Sequence, residues 1–305
     1  MRRDLASGII NYVWVVEETR IFIEYVKIES MDGPDTIRVI VKASVQSFAT
    51  GFKGRHEGEV NDPEGTINMK IHNVFIEALG KEIQYYSALA RSLDSSLGNM
   101  LENLAINIAS LNYEVRHNVE GPLNPSQTSK IAEILEQYKR HEIRPTIADY
   151  QCLRDMNKGI SPIKRHDSDY YLIDRETNNH YLIELKIGGD LDNKKARAEK
   201  EAILEQYAIL SNTLPKEVKI TIYFATAYNR FGENKPWRQE RVRQFFADDE
   251  LLIGRAFWNF VCKSESGYDT VLSTYRENAH LIKSTLDEIQ ALYLGEGNEQ
   301  SKIFD

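Results

Sequence analysis

The chain has 305 residues, of which 42% are hydrophobic and 28% charged, and its formal net charge is −8 at pH 7. This composition is typical of a globular protein with one or two domains, and the acidic balance argues against a protein that coats nucleic acid unspecifically, though not against an enzyme with a locally basic groove. The two cysteines are far apart in the sequence, which argues against a disulfide framework and a thiolate zinc site and favours the cytoplasm. No apolar run approaches the ~20 residues of a membrane span, which argues against a membrane protein.

Residues 1–65 are expected to form an N-terminal β/α extension of uncertain role. Tracts rich in β-branched and aromatic residues predict strands at 12–16 and 20–28. A helix is expected at 36–48. The stretch 51–65 is rich in Gly, Glu, Asp and Pro and is expected to be a loop.

The main domain is expected at 66–295 and is followed by a polar tail at 296–305. Its first part, 67–111, has helical periodicity. The first helix there has an apolar stripe that we expect to face the core, namely Ile71, Val74, Phe75, Ala78 and Leu79. A second helix is predicted to begin near Asp94, Ser95 and Ser96, which are favourable N-cap residues, and a third is predicted at 130–139.

The pattern then changes to dense β-forming residues. Strands are predicted at 170–173 and 180–187, joined by a polar hairpin turn, and a nearly all-apolar central strand is predicted at 219–228. A long helix at 193–210 lies between the second and third strands. Helical segments close the chain at 239–246, 250–260 and 270–294. This order predicts an α/β fold in which a mixed central sheet is flanked by helices.

The strand at 180–187 carries an acid and a base on one face. Because alternate residues of a strand share a face, Glu184 and Lys186 point to the same side, and an apolar strand holds such charges only where they have partners or a chemical role. The preceding strand begins at Asp169, which is therefore expected beside Glu184 in the spacing D-x14-E-x-K. Three other acidic-x-Lys pairs lie in polar segments or at the start of a strand, and no hairpin strand that begins with Asp precedes them.

Two carboxylates and a lysine in this arrangement suit phosphodiester hydrolysis. The carboxylates bind Mg²⁺, which prefers oxygen ligands, and the lysine ammonium positions the attacking water and offsets phosphate charge. The alternative is a buried Glu–Lys pair with no chemical role. Glu102, in the helix expected after Asp94, is a candidate for a further acid at the metal, and an ordinary exposed helix glutamate is its alternative.

Two basic tracts are candidates for nucleic-acid contacts. The first opens the helix after the Glu184 strand and consists of Asn193, Lys194, Lys195 and Arg197. The second follows the third strand and contains Asn229, Arg230, Lys235 and Arg238. The alternative for the first helix is a solvated charged face, which we favour for its later residues Glu199, Lys200, Glu201 and Glu205. The alternative for the second tract is a structural loop with Trp237 in the core. His166 is expected to be a surface histidine.

Several segments, in this order, resemble type II restriction endonucleases of the PD-(D/E)xK superfamily, and specifically the TdeIII-type family, which reads GGNCC-like sites. The resemblance covers residues 70–275. It rests on the segments 95–102, 168–172, 183–186, 193–194, 228–237 and 252–258. The chain departs from the family at Ser168, where a proline often precedes the first Asp, and at 188–192, which is poorer in Lys, Ser and Pro.

The resemblance implies a restriction-endonuclease-like fold in which Asp169, Glu184 and Lys186 are catalytic, Asp169 and Glu184 bind the metal, and Glu102 is a supporting acid. It implies hydrolysis of double-stranded DNA at a short palindromic GGNCC-like site, with Mg²⁺ as cofactor and Mn²⁺ able to substitute. A homodimer and a cognate DNA methyltransferase in the same system are expected. Two alternatives stay open: a structure-specific repair or recombination nuclease on the same core, and a catalytically inactive DNA-binding module.

Overall fold

A computed structural model describes residues 33–156 and 161–295. The strands are β1 (Tyr113–Pro122), β2 (Ile163–Asp174), β3 (His180–Leu185), β4 (Ile220–Thr226) and β5 (Leu251–Ile253). The helices are α1 (Gly33–Glu59), α2 (Val74–Glu77), α3 (Lys81–Ala109), α4 (Pro125–Lys139), α5 (Ala148–Gln151), α6 (Asn193–Thr213), α7 (Glu240–Arg243), α8 (Arg255–Cys262) and α9 (Gly267–Leu294). The strands expected at 12–16 and 20–28 and the tail at 296–305 lie outside the described residues. In the part that is described, no helix is long and apolar enough to cross a membrane.

The strands form one five-stranded sheet in the order β1-β2-β3-β4-β5. β1, β2 and β3 are antiparallel neighbours, whereas β3, β4 and β5 are parallel. Helix α6 connects the parallel strands β3 and β4, because parallel neighbours need a long crossover connection. The expected α/β fold, with a mixed sheet flanked by helices, is therefore confirmed.

Helices cover both faces of the sheet. On one face α4 and α6 pack against Leu182 of β3 and Phe224 of β4. On the other face α1, α3 and α8 pack against Tyr170 of β2 and against Ile183 and Leu185 of β3. Consecutive residues of β3 therefore belong to different apolar clusters, as the alternation of a strand requires. By the same alternation, position 184 belongs to the α6 face of the sheet.

Helix α1 is longer than the sequence predicts. It begins at Gly33 and runs to Glu59, so it includes most of the stretch 51–65 that was expected to be a loop. It buries Ile37 and Val41 in the cluster shared with α3 and the sheet, and Phe52 in a cluster shared with α3 and α9. Most of a helix's stability comes from such packing, and here the packing overrides the local glycine content. The described part of the expected N-terminal extension thus packs on the core of the main domain.

Two expectations for residues 67–111 are wrong. The residues Asp94–Ser96 do not start a helix, because they lie in the middle of α3, which is continuous from Lys81. The stripe from Ile71 to Leu79 does not face the core: Phe75 is 83% exposed and Val74 is 65% exposed. Helical spacing identifies a stripe of apolar side chains, but it does not tell whether the rest of the chain covers that stripe.

The two outermost strands were not predicted. β1 is a largely polar segment of which half the residues are exposed, and it gains its conformation from pairing with β2. β5 has only three residues, which pair with β4, and it interrupts the helix expected at 250–260. Helix α7 is also shorter than the segment expected at 239–246. Strand formation at an edge depends on the neighbouring strand more than on local propensity, so single-sequence patterns miss it.

Candidate active site

The two acids of the predicted motif occupy adjacent positions on β2 and β3. Tyr170 of β2 pairs with Ile183 of β3 in the antiparallel register. Asp169 and Glu184 are the next residues along these two strands, at the end of β3 where its chain leaves the sheet. The Glu184 side chain is only 12% exposed, because its strand is central and pairs with β4 on the other side.

The pairing between β2 and β1 is irregular at the same place. The register shifts between Arg116 and Asn118, so that the three residues 168–170 of β2 stand opposite the single residue His117. Extra residues of this kind bend a strand, and they are common beside active sites, where they redirect side chains. The bulge thus marks the strand position of Asp169, whose side chain itself lies outside the described part of the structure.

Lys186 follows β3 directly. Its backbone N–H donates to the carbonyl of Ala225 at 3.0 Å, which extends the β3–β4 pairing by one residue. Its Nζ contacts the carboxylate of Glu184 and lies 3.4 Å from Oε1 of Glu199 on α6. The expected proximity of Glu184 and Lys186 is confirmed, and a second carboxylate, which the sequence analysis assigned to a solvated face, joins them.

Lys186 borders a cleft of about 480 Å³ at the carboxyl end of β3. The cleft has three sides: helix α3, the loop that follows β3, and the segment that follows β4. Its lining residues on α3 are Asp94, Ser95, Gly98, Asn99 and Glu102. Crevices outside the carboxyl ends of parallel strands are the usual ligand sites of α/β sheets. The polar run expected to cap a helix is therefore a wall of this cleft.

Glu102 lies on α3 and, like Lys186, lines the cleft. The hydroxyl of Tyr170 donates to the backbone carbonyl of Glu102 at 2.7 Å. This hydrogen bond ties α3 to β2 one residue from Asp169. The helix position expected for a supporting acid is therefore next to the motif.

The floor of the cleft depends on a glycine. Gly189 has φ of +65°, a conformation that L side chains rarely adopt, and a Cβ at this position would lie 2.7 Å from Cγ2 of Thr226. The same Cβ would lie 3.2 Å from Trp237. Trp237 is buried and packs against Phe224 with ring centroids 6.0 Å apart. Trp237 is thus part of the core, whereas the role of the basic residues around it in DNA binding stays a prediction.

The first basic tract opens α6 beside the cleft. Asp192 caps the helix by accepting a hydrogen bond from the backbone N–H of Lys195 at 2.8 Å. Asn193, Lys194 and Lys195 are exposed. Arg197 instead approaches Glu136 of α4, with NH2 and Oε2 3.9 Å apart. Three of the four predicted DNA-contacting residues on α6 therefore face solvent, and the fourth turns towards a neighbouring helix.

The second basic tract is divided between two surfaces. Arg230 lines the cleft and forms an ion pair with Asp190 at 2.8 Å. The hydrogen bond from Arg230 holds the pKa of Asp190 below its ordinary value. Asn229 is used within its own loop: its side-chain amide donates to the carbonyl of Lys235 at 2.7 Å and accepts from the N–H of Phe231 at 3.0 Å.

The remaining residues of this tract, Lys235 and Arg238, are exposed. Lys235 borders a larger groove of about 970 Å³ that runs along α8. The cations Arg255 and Lys263 of that groove are held in ion pairs, Arg255 with Asp269 and Glu233, and Lys263 with Asp174 and Glu176. Lys186 and Glu102 line the smaller cleft and do not line this groove, so we place the candidate active site in the smaller cleft.

Two charged clusters were missed by the sequence analysis. Lys200, expected on a solvated face, is fully buried, and its Nζ lies 2.7 Å from both carboxylate oxygens of Glu250. Lys200 is four residues after Ala196 and three before Ile203, which both belong to the buried stripe of α6. This helical spacing could have indicated that Lys200 is buried.

His166, expected at the surface, has a side chain that is only 16% exposed and lies 2.9 Å from Oε2 of Glu205. Glu205 also pairs with Lys164 at 2.6 Å. Burial alone would raise the pKa of Glu205, but the adjacent His166 imidazole and the Lys164 ammonium outweigh it, so this pKa lies below its ordinary value.

The donors available for a metal ion are carboxylate oxygens. Glu102 lines the cleft, Glu184 contacts Lys186 at its edge, and Asp169 is at the strand position adjacent to Glu184. Carboxylate oxygens of this kind suit a hard cation like Mg²⁺. Among the described residues, no group of three or more His, Cys, Asp and Glu side chains is placed to hold a metal ion. The donor type thus fits Mg²⁺, and a complete ligand set would have to include Asp169.

Comparison with known proteins identifies a protein family. The family model described as "Type II restriction endonuclease, HinfI" matches residues 35–279. This span begins in α1, ends in α9 and includes all the residues of the cleft. No curated protein and no solved structure matches the chain significantly.

Proposed function

The chain belongs to the HinfI family of type II restriction endonucleases, and from this premise we propose that Asp169, Glu184 and Lys186 form a PD-(D/E)xK active site, with Glu102 as a supporting acid. The reaction is the hydrolysis of phosphodiester bonds in double-stranded DNA. Its metal cofactor is Mg²⁺, for which Mn²⁺ can substitute.

One observation carries this proposal: the Lys186 ammonium contacts the Glu184 carboxylate at the edge of a cleft where β3 leaves the sheet. A Glu–Lys pair that served only to satisfy itself would need no cleft. The bulge in β2 at residues 168–170 supports a special role for the strand position of Asp169.

Each residue has a distinct task in this proposal. Asp169 and Glu184 bind the metal ion through their carboxylates, and Glu102 approaches it from α3. When bound, Mg²⁺ supplies positive charge at the scissile phosphate and makes the attacking water more acidic. The Lys186 ammonium donates hydrogen bonds to the water or to a phosphate oxygen, and it offsets the negative charge that develops there.

DNA would approach the cleft along the exposed start of α6. Asn193, Lys194 and Lys195 lie there a few residues after Lys186, and helix N-termini with cations are common phosphate contacts. From the segment after β4, Arg230, Lys235 and Arg238 are the proposed contacts. Arg197 and Asn229 are engaged with groups of this chain and are left out of the proposed set.

We propose a recognition site that is a short palindrome of the GGNCC type, as in the TdeIII-type enzymes. A palindromic duplex presents the same sequence on both strands, so a two-fold homodimer would bring one active site to each strand. A cognate DNA methyltransferase would protect the same sequence in the host genome. No direct contact with the methyltransferase is implied.

The experiment is digestion of plasmid DNA by the purified protein with MgCl₂ or MnCl₂, followed by sequencing of the fragment ends. Discrete ends at one short palindrome, lost on adding EDTA, are the expected result. A parallel digestion of flap, junction and mismatch substrates provides the comparison. Preference for those branched substrates over the linear duplex would contradict the proposal in favour of a repair nuclease. Binding without cutting under all conditions would indicate an inactive DNA-binding protein.

A further inference from the structure

We propose that Glu199 is a positioning residue that holds the Lys186 ammonium at the edge of the cleft during DNA cleavage. The inference rests on the proposed function, because that function gives Lys186 its role. Oε1 of Glu199 lies 3.4 Å from Nζ of Lys186. Lys186 lines the cleft, and Glu199 reaches its ammonium from α6. Helix α6 lies on the face of the sheet opposite to α3.

The position of Glu199 on α6 is set by packing. It stands three residues after Ala196 and four before Ile203, which are 0% and 2% exposed. Residues at these spacings share one face of a helix, so Glu199 lies along the packed side of α6. The next residue, Lys200, is buried in its ion pair with Glu250 and fixes the rotation of the helix. The side chain of Glu199 is 28% exposed, which is low for a solvated glutamate.

The chemistry of Lys186 requires such a partner. A lysine side chain has four rotatable bonds and one compact charge, so it must be held if its ammonium is to serve a single point in the cleft. Glu184 contacts the same ammonium, but in the proposed function its carboxylate also binds the metal ion. Glu199 belongs to a separate element and can hold the lysine while Glu184 serves the metal.

The charge of Glu199 is otherwise unfavourable at this place. A carboxylate near a cleft that receives phosphates repels the substrate unless a cation neutralises it. Removal of the charge should therefore leave DNA binding as strong as before, or make it stronger. A loss of cleavage rate without a loss of affinity is thus specific to a positioning role.

The test compares Glu199→Gln with the wild-type protein in single-turnover cleavage of an oligonucleotide duplex that carries the mapped site, with MgCl₂. Glu199→Gln keeps the size and a hydrogen-bond acceptor but removes the charge. Groups that orient a catalytic side chain commonly contribute about tenfold to a hundredfold in activity, and we expect a loss in this range. Affinity for the same duplex, measured by fluorescence anisotropy with CaCl₂, should not fall, and the melting temperature should not change.

Two further variants sharpen the comparison. Glu199→Asp keeps the charge and should retain more activity than Glu199→Gln. Glu201→Gln makes the same chemical change two residues along α6, about 200° around the helix, and should cleave at the wild-type rate.

Cleavage by Glu199→Gln at the wild-type rate would overturn the proposal if Lys186→Ala is inactive in the same assay. A lower rate that comes only with weaker DNA binding or a lower melting temperature would also overturn it. If the wild-type protein itself cuts no DNA, the proposed function fails and the role of Glu199 fails with it.

Discussion

The buried ion pair between Lys200 and Glu250 gives the sharpest stability prediction. Both side chains are almost completely inaccessible to solvent, and the ammonium lies 2.7 Å from each carboxylate oxygen. Nζ of Lys200 also lies 4.9 Å from the ring of Tyr150 and 4.7 Å from the ring of Phe246. The variant Lys200→Met keeps the apolar part of the side chain and leaves Glu250 without its cation.

Breaking a buried pair by removing one partner costs about 3–5 kcal/mol, because the other charge stays buried. Glu250 keeps two donors in Lys200→Met, the hydroxyl of Tyr150 and the N–H of Ala247, each at 2.7 Å. These two hydrogen bonds place the expected cost at the lower end, about 3 kcal/mol. For a domain of this size, that cost lowers the melting temperature by about 6–12 °C.

The assay is thermal unfolding followed by circular dichroism for Lys200→Met, Glu250→Gln and the double variant. The double variant removes both charges and keeps an acceptor for Tyr150, so it should be more stable than the sum of the two single changes predicts. A melting temperature of Lys200→Met within about 2 °C of wild type, which corresponds to less than about 1 kcal/mol, would refute the reasoning. Strict additivity of the two changes would refute it as well.

Three other outcomes follow from the structure. Gly189→Ala should destabilise the protein by about 1–3 kcal/mol through backbone strain and should impair cleavage, because its Cβ would meet Thr226. The control Gly51→Ala has open space around it and should not destabilise the protein. Equal melting temperatures for the two variants would contradict the expected strain at Gly189. Burial, aided by nearby arginines, lowers the pKa of His56 and His180 from the ordinary 6.5. Because the unfolded state therefore binds more protons than the folded state as the pH drops from 6.5, the melting temperature should fall over this range. The double variant His56→Gln, His180→Gln should weaken that pH dependence. An unchanged pH profile in the double variant would be inconsistent with buried neutral histidines. Phe75→Ser should change the free energy of unfolding by less than about 0.5 kcal/mol, because the ring is 83% exposed. A large loss of free energy of unfolding, measured by urea denaturation, would mean that the Phe75 ring is buried in the folded protein.

The sequence predicts the centre of the fold better than its edges. The strands around Tyr171, Ile183 and Phe224 form from dense β-forming residues that are buried on both faces, so their composition alone indicates them. β1 and β5 contain few such residues and depend on pairing with β2 and β4. A single sequence does not contain that information in any local window.

The same distinction applies to the candidate site. The alternation of one strand places Glu184 and Lys186 on one face, so their proximity could be predicted from local geometry. Glu199 contacts Lys186 from a helix whose rotation is set by the burial of Lys200. The many charged residues of this helix made it look like a solvent-exposed face in the sequence. The cleft wall formed by Asp94 to Glu102 was likewise hidden, because good capping residues in the middle of α3 look like a helix start.

The proposed function depends above all on the action of Lys186 in DNA cleavage. The most direct test is the rate of plasmid cleavage with MgCl₂ by Lys186→Ala, beside Lys216→Ala, which removes an exposed lysine paired with Asp155. We expect Lys186→Ala to lose about a hundredfold or more in rate while it still folds and binds the duplex, and we expect Lys216→Ala to cleave like the wild type. Cleavage by Lys186→Ala at the wild-type rate would exclude this role of Lys186 and place the chemistry elsewhere in the chain.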